Sequence, residues 1–148
     1  MNSFEKTVEV RWADCDANRH VRHSAYYDYA ADVRIRFFAG IGFDSDRLTE
    51  LKLGPILFKE ECSFIRELRG EDSVRTNLLR ESISPDGSKW LLHHELFNQN
   101  DQKVAHITVY GAWMDLEKRR VTVPPQAMID ALLDLPPGEA YIHKKGKG

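Results

Sequence analysis

The chain has 148 residues, of which 42% are hydrophobic and 30% charged, with 9 glycines and 6 prolines. That length suits one domain with a substantial core, and that composition excludes a disordered or collagen-like chain. With 21 basic against 23 acidic residues, the formal charge of -2 argues against a broadly basic nucleic-acid binder.

Residues 4–12 alternate, with Phe4, Lys6, Val8, Val10 and Trp12 on one side and Glu5, Thr7, Glu9 and Arg11 on the other. This predicts a half-buried strand. Residues 13–22 lose the alternation and carry turn formers. Over 24–38 the period changes. Tyr26, Ala30, Val33 and Phe37 recur at three and four, Tyr27, Ala31 and Phe38 widen the stripe, and Asp28, Asp32, Arg34 and Arg36 supply a polar side. The expectation is a helix with a broad buried face, capped near Ser24 and ended by Gly40 and Gly42. Residues 43–53 read as a short helix before a turn at Gly54-Pro55. Strands are expected near 56–68, 73–83, 89–98 and 103–115, joined by hairpin turns at 69–72, 85–88 and 98–101. The last strand is apolar on both faces, which places it centrally in the sheet. Pro124-Pro125 closes the sheet region, 126–133 suggests a short helix, and from about 139 the chain reads as a mobile tail ending in HKKGKG. The order is β-α-β-β-β-β within one domain spanning 1–148. That is an α+β class, with an antiparallel sheet covered by the one long helix.

Two cysteines, Cys15 and Cys62, lie outside any CxxC pair and make no disulfide framework. No apolar run approaches the roughly 18 residues of a membrane helix. The N-terminal MNSFEKTVEVRW carries charge where a signal peptide needs an apolar stretch. A cytoplasmic protein without membrane or nucleic-acid partners is expected.

The chemically informative stretch is Trp12-Ala13-Asp14-Cys15-Asp16-Ala17-Asn18-Arg19-His20-Val21-Arg22-His23. It gathers two carboxylates, an amide and two imidazoles directly before a helix N-terminus. Free backbone N–H groups and the helix dipole favour negative charge there. Such a place can stabilise an oxyanion while a nearby carboxylate acts as nucleophile or base. The competing reading is structural, with Asp14 and Asp16 capping turns and the histidines bonding locally.

This stretch, W-A-D-C-D-A-N-R-H-V-R-H-S-A-Y-Y, resembles the opening motif of the hotdog-fold acyl-CoA thioesterases of the 4-hydroxybenzoyl-CoA thioesterase-like family. In that family an aromatic ends a strand, D-x-D and a short loop follow, and an H-V pair leads into a helix containing Tyr. The resemblance covers roughly residues 4–120. It implies a hotdog fold, a five-stranded antiparallel sheet wrapped around a long central helix, and hydrolysis of an acyl-CoA. It maps the catalytic carboxylate onto Asp16 and the oxyanion donor onto the backbone N–H of His23, with Asp14, His20 and Asn18 in support. It also implies a homodimer or homotetramer. The chain departs from the pattern at Arg19, where many relatives have Gly, and at Arg22-His23, where many have Asn.

Other residues complete the expectations. There is no G-x-S-x-G elbow, and neither cysteine has a paired base in the sequence, Cys15 reading as packing. His93-His94 and His106 give no zinc spacing, so neither metal nor redox cofactor is expected; His94 and His106 could meet across neighbouring strands, but ordinary strand hydrogen bonding is the expectation for both. Glu60 or Glu61 is a candidate second carboxylate, since alternation lets only one face the helix. Tyr26 and Tyr27 are candidates for an acyl pocket, with Tyr29 beside them. Lys59, Arg66, Arg69, Arg75 and Arg80 are candidates for a basic surface toward CoA phosphates. The rival functions are an acyl-thioester dehydratase or hydratase, with His20 or His23 as base, and a non-catalytic acyl-CoA binding protein.

Overall fold

The computed structural model describes residues 3–142. Its elements run β1 (Glu5–Glu9), α1 (His23–Gly40), α2 (Ser45–Leu51), β2 (Leu53–Phe64), β3 (Ser73–Asn77), β4 (Leu79–Ile83), β5 (Lys89–Phe97), β6 (Lys103–Asp115), β7 (Arg120–Val121) and α3 (Gln126–Leu133). A single 3-10 turn, Trp12–Asp14, follows β1. The HKKGKG end of the expected tail lies outside the described residues; just before it, the Tyr141 ring stacks on His106.

Neighbouring strands are antiparallel in the order β1-β3-β5-β6-β2, with β4 beside β5 and the short β7 beside β6. β6 is central, as its two apolar faces require. β3 and β4 are the single strand expected over 73–83, interrupted at Leu78. Asn77 spans the interruption: its Oδ1 accepts the Glu95 amide at 2.6 Å and its Nδ2 donates to Glu95 Oε1 at 2.9 Å. Five main strands thus make one curved sheet with α1 packed on it, the hotdog arrangement.

The helix face follows the 3.6-residue period. Phe38 meets Trp113 of β6 at 5.1 Å, Phe37 meets Phe4 at 5.4 Å, and Tyr26 meets Phe64 of β2 at 5.1 Å, all edge-on. Arg34 departs from its expected place on the polar side. It is only 5% exposed, and its Nη1 donates to His94 Nε2 at 2.9 Å. The reason is geometric: Tyr26, Ala30, Arg34 and Phe38 form one i, i+4 row, and a curved sheet covers the whole row.

Several boundaries differ from the sequence reading. β1 stops at Glu9, and Trp12, expected inward, is 90% exposed on the 3-10 turn. Arg22, in extended conformation, precedes α1; Ser24 lies inside the first turn and accepts from Arg22 Nε at 3.0 Å. The helix ends as expected, with Gly42 at φ +95° and the Phe43 amide returning to Phe38 O at 2.8 Å. Gly54-Pro55 is no turn but part of β2, with Pro55 opposite Trp113. An edge strand tolerates the missing N–H because one side of it is unpaired. The 69–72 turn joins no hairpin, since β2 and β3 lie on different parts of the sheet.

Gly111 sits where β6 is flanked by Leu57 and Trp90. A methyl group there would run into the Ile56 carbonyl oxygen and the Trp90 ring. Backbone cannot retreat as a flexible side chain can. Gly111→Ala is therefore expected to destabilise by about 1–3 kcal/mol, read as a lower urea midpoint with an unchanged slope.

His93 and His94 alternate, so they face opposite sides of the sheet. It is His93, not His94, that meets His106, with Nδ1 and Nε2 at 3.0 Å, while His93 Nε2 lies 2.8 Å from Glu81 Oε1. Burial, reinforced by Arg34, pushes His94 down to about 3; burial and Lys103 push His106 down to about 4. The unfolded chain takes up these protons near its ordinary pKa of about 6.5, whereas the native state refuses them until lower pH. Stability is expected to fall as pH drops from about 6.5 toward about 4, measured as urea midpoints across that window. His106→Gln should flatten the fall.

Candidate active site

Two devices order the segment between β1 and α1. The first is Asp14, buried at 1% exposure. Its carboxylate accepts the Arg11 amide at 3.2 Å, Arg11 Nη2 at 2.8 Å and the Tyr29 hydroxyl at 2.9 Å. Burial by itself would raise the Asp14 pKa. The bonds from Arg11 and Tyr29 outweigh it and hold the carboxyl below its ordinary value. Burial and the Asp14 carboxylate together push the Tyr29 hydroxyl up. Asp14 thus ties the 3-10 turn to the middle of α1.

The second device is a miniature hairpin. Cys15 pairs with Val21, the Asp16 amide donates to His20 O at 2.8 Å, and the Arg19 amide donates to Asp16 O at 3.0 Å. Arg19 has φ +64°, in the left-handed region, at the last position of this three-residue loop. The departure from the family's Gly therefore falls on the one position of this turn that favours Gly. Asp16 Oδ1 accepts the amides of Asn18 at 2.8 Å and His20 at 3.2 Å. Asp16 Oδ2 has no partner among the described residues. The Val21 amide bonds Leu68 O at 2.8 Å, which clamps the hairpin to the chain leaving β2.

Beside this hairpin lies a cavity of about 250 Å³, lined by Asp16, His20, His23, Tyr26 and Phe64, among others. His23 is the first residue of α1, in the turn whose backbone N–H groups lack intrahelical acceptors. Its ring packs on Phe64 at 5.2 Å. His20 Nε2 is 3.2 Å from Glu67 Oε2, which fixes the imidazole at the rim. A wider outer cavity of about 920 Å³ shares Asp16 and His20 and reaches Trp12, Asn18, Arg19 and Arg69.

The structure therefore gathers Asp16, His20, His23 and Tyr26, with Asn18 on the outer side and Asp14 beneath. It does not gather the others. Glu60 shares the helix side of β2 with Cys62 and Phe64, Glu61 takes the opposite side, and neither lines the Asp16 cavity. Tyr27 lies beside Cys62 and Glu60 rather than in that cavity. Burial pushes the Cys62 thiol up to about 12, so it is no nucleophile near neutrality. The Cys15 thiol contacts Arg11 O at 3.7 Å. Of the basic candidates, Arg66 and Arg69 reach the two cavities. Arg75 is held by Glu5 at 3.0 Å and Asp101 at 3.1 Å, and Lys59 lies 3.8 Å from Glu61. Phe64 and Glu67 were not singled out from sequence. Alternation along β2 signals Phe64; nothing local signals Glu67. Among the described residues no three His, Cys, Asp or Glu side chains form a metal cluster.

Residues 10–132 match the family model of the thioesterase-like superfamily, and the chain belongs to that superfamily. A Staphylococcus aureus hypothetical protein solved in complex with CoA is similar to it at 18% identity and TM-score 0.86, over 99% of this chain and 96% of that one. A 1,4-dihydroxy-2-naphthoyl-CoA thioesterase from Synechocystis follows at 15% identity and TM-score 0.80, over 90% and 98%. A Pseudomonas aeruginosa protein described as a thioesterase-family candidate has 21% identity and TM-score 0.77, over 86% and 96%. At these identities the likeness carries the fold. No curated protein matches the sequence significantly.

Proposed function

We propose that this protein hydrolyses acyl-CoA thioesters, with Asp16 as the catalytic carboxylate. The observation that carries the reading is the exposed Asp16 carboxylate, pinned through Oδ1 with Oδ2 unbonded among the described residues, at a cavity that the first residue of α1 also lines. In the proposed step Asp16 takes a proton from water, and the resulting hydroxide adds to the thioester carbonyl carbon. The oxyanion is stabilised by the His23 backbone N–H. Collapse of the tetrahedral intermediate breaks the carbon–sulfur bond, and the leaving thiolate recovers the proton from Asp16. The products are a free acid and CoA. Direct attack by Asp16 and hydrolysis of the resulting anhydride use the same groups. A thiolate leaves readily, so the site needs neither a strong general acid nor a metal.

The test is thiol release from a panel of aryl, short-chain and long-chain acyl-CoAs. Turnover of at least one, in the presence of a chelator, is the expected result. Retention of CoA with a changed acyl double bond would instead mark a hydratase, for which His20 and His23 line the same cavity. Binding without thiol release would mark a non-catalytic acyl-CoA binder.

We also propose a homodimer, or a homotetramer built from it. β2 is a twelve-residue edge strand, and its Leu57, Phe58 and Phe64 are 47%, 49% and 43% exposed. Pairing with the same edge of a second copy would cover them and bring that copy to the Phe64 side of the cavity. Sedimentation equilibrium at micromolar concentration should give a dimer or larger; a monomer sinks the proposal. No described helix is long and apolar enough to cross a membrane, and both described cysteines are free thiols. A cytoplasmic location is part of the proposal.

A further inference from the structure

The outer cavity carries features the hydrolytic step does not use. Trp12 is 90% exposed at its edge, while the chain's other tryptophans, Trp90 and Trp113, are 1% and 0% exposed. A tryptophan offered wholly to water forfeits its burial, which makes this position informative. Five of the twelve arginines are tied to carboxylates: Arg11, Arg22, Arg36, Arg47 and Arg75 each have one within 4.0 Å. Arg19 and Arg69 line the outer cavity and Arg66 the inner one, and none of the three guanidinium groups has a partner among the described residues.

The acidic residues of the lining are largely engaged. Asp72 accepts the Arg69 amide at 2.8 Å and Gln99 Nε2 at 2.9 Å. Asp16 accepts two amides of its own turn. Glu71 is the lining carboxylate without a partner among the described residues. Asp16 and His20 line both cavities, so the outer one is continuous with the candidate active site.

We propose that the outer cavity binds the adenosine-phosphate end of coenzyme A, with Trp12 stacked on the adenine and Arg19 and Arg69 on the phosphates. This rests on the acyl-CoA reading above and assigns the two cavities to the two ends of that substrate. A planar base offers the π-face an indole needs, and guanidinium forks match phosphate oxygens. The acyl thioester then lies inside, at Asp16, and the pantetheine arm crosses the Asp16 hairpin between them. Arg19 gains a role from its φ of +64°: the turn projects a charged side chain where Gly would leave none.

The experiment titrates the full chain with adenosine 3′,5′-bisphosphate, which has the nucleotide and no thioester. Saturable binding by calorimetry, with quenching of the solvent-exposed tryptophan emission, is expected. Trp12→Ala should abolish the quench while Trp12→Phe retains nucleotide binding. Arg69→Gln and Arg19→Asn, the latter chosen because Asn tolerates a left-handed position, should each weaken binding about tenfold. Glu71→Gln should tighten it. On hydrolysis, the arginine variants should lose most of the preference for an acyl-CoA over the same acyl group on pantetheine. Absence of nucleotide binding, or an equal loss on both substrates, overturns the assignment. So does a Trp12 that iodide cannot quench in the native protein, because another copy then covers it. If no thioester is hydrolysed but the bisphosphate binds with the stated variant pattern, the nucleotide site stands and the hydrolytic reading fails. If thioesters are hydrolysed without nucleotide binding, the reverse holds.

Discussion

Asp16→Asn is expected to lower kcat on the best acyl-CoA by about 10²–10⁴, the usual scale for a positioned acid or base. The substitution is nearly isosteric. Its carbonyl oxygen can still accept the Asn18 and His20 amides that close the hairpin, so the turn should persist. What disappears is a group able to take a proton or attack a carbonyl carbon. Substrate binding should change little, so the loss should appear in kcat rather than KM. Residual turnover is expected because the first turn of α1 remains in place. The measurement is thiol release at saturating substrate, with circular dichroism and a thermal melt to establish that the variant is folded. A folded Asp16→Asn protein with wild-type kcat would falsify the assignment of the carboxylate.

Asp14→Ala is expected to act differently, through stability first. The alanine strands the Tyr29 hydroxyl and the Arg11 amide, both of which end on Asp14. Hydrogen bonds to a charged group are worth about 1.5–3 kcal/mol, and a loss of that order is expected in urea unfolding. The exposed Arg11 guanidinium simply returns to water and adds nothing to the estimate. Asp14→Asn keeps an acceptor and should cost less. The sign with pH is fixed by the lowered pKa: the carboxylate's contribution is present above its ordinary value of 3.8 and lost as pH falls below it. Asp14→Ala should therefore lessen the fall in stability below about pH 3.8. Because the Asp16 hairpin begins one residue later, kcat and KM should both worsen. A variant with wild-type stability and wild-type kinetics would remove Asp14 from its place as the support of this loop.

Much of this molecule is written in local pattern. The period change between residues 4–12 and 24–38 marks strand and helix because side chains repeat at two residues in one and 3.6 in the other. Helix α3 falls on 126–133 as read, and the two apolar faces of 103–115 announce a strand with neighbours on both sides. The W-A-D-C-D run with its following H-V-R-H was visible for the same reason, since all of it lies in one short loop.

The tertiary structure alone decided the rest. Alternation says which residues share a face of one strand, but not which strand lies alongside. So β2 joined β6 rather than β3, His93 met His106 in place of His94, and the 69–72 turn became a crossing instead of a hairpin. Arg34 reads as polar surface until a curved sheet closes over the whole i, i+4 row, and only then does His94 become its partner. Trp12 continues an inward alternation until the 3-10 turn ends the strand ahead of it and leaves the indole in water. In each case the deciding interaction joins residues far apart in the chain, or depends on where a turn cuts a pattern short. Local periodicity carries no record of either.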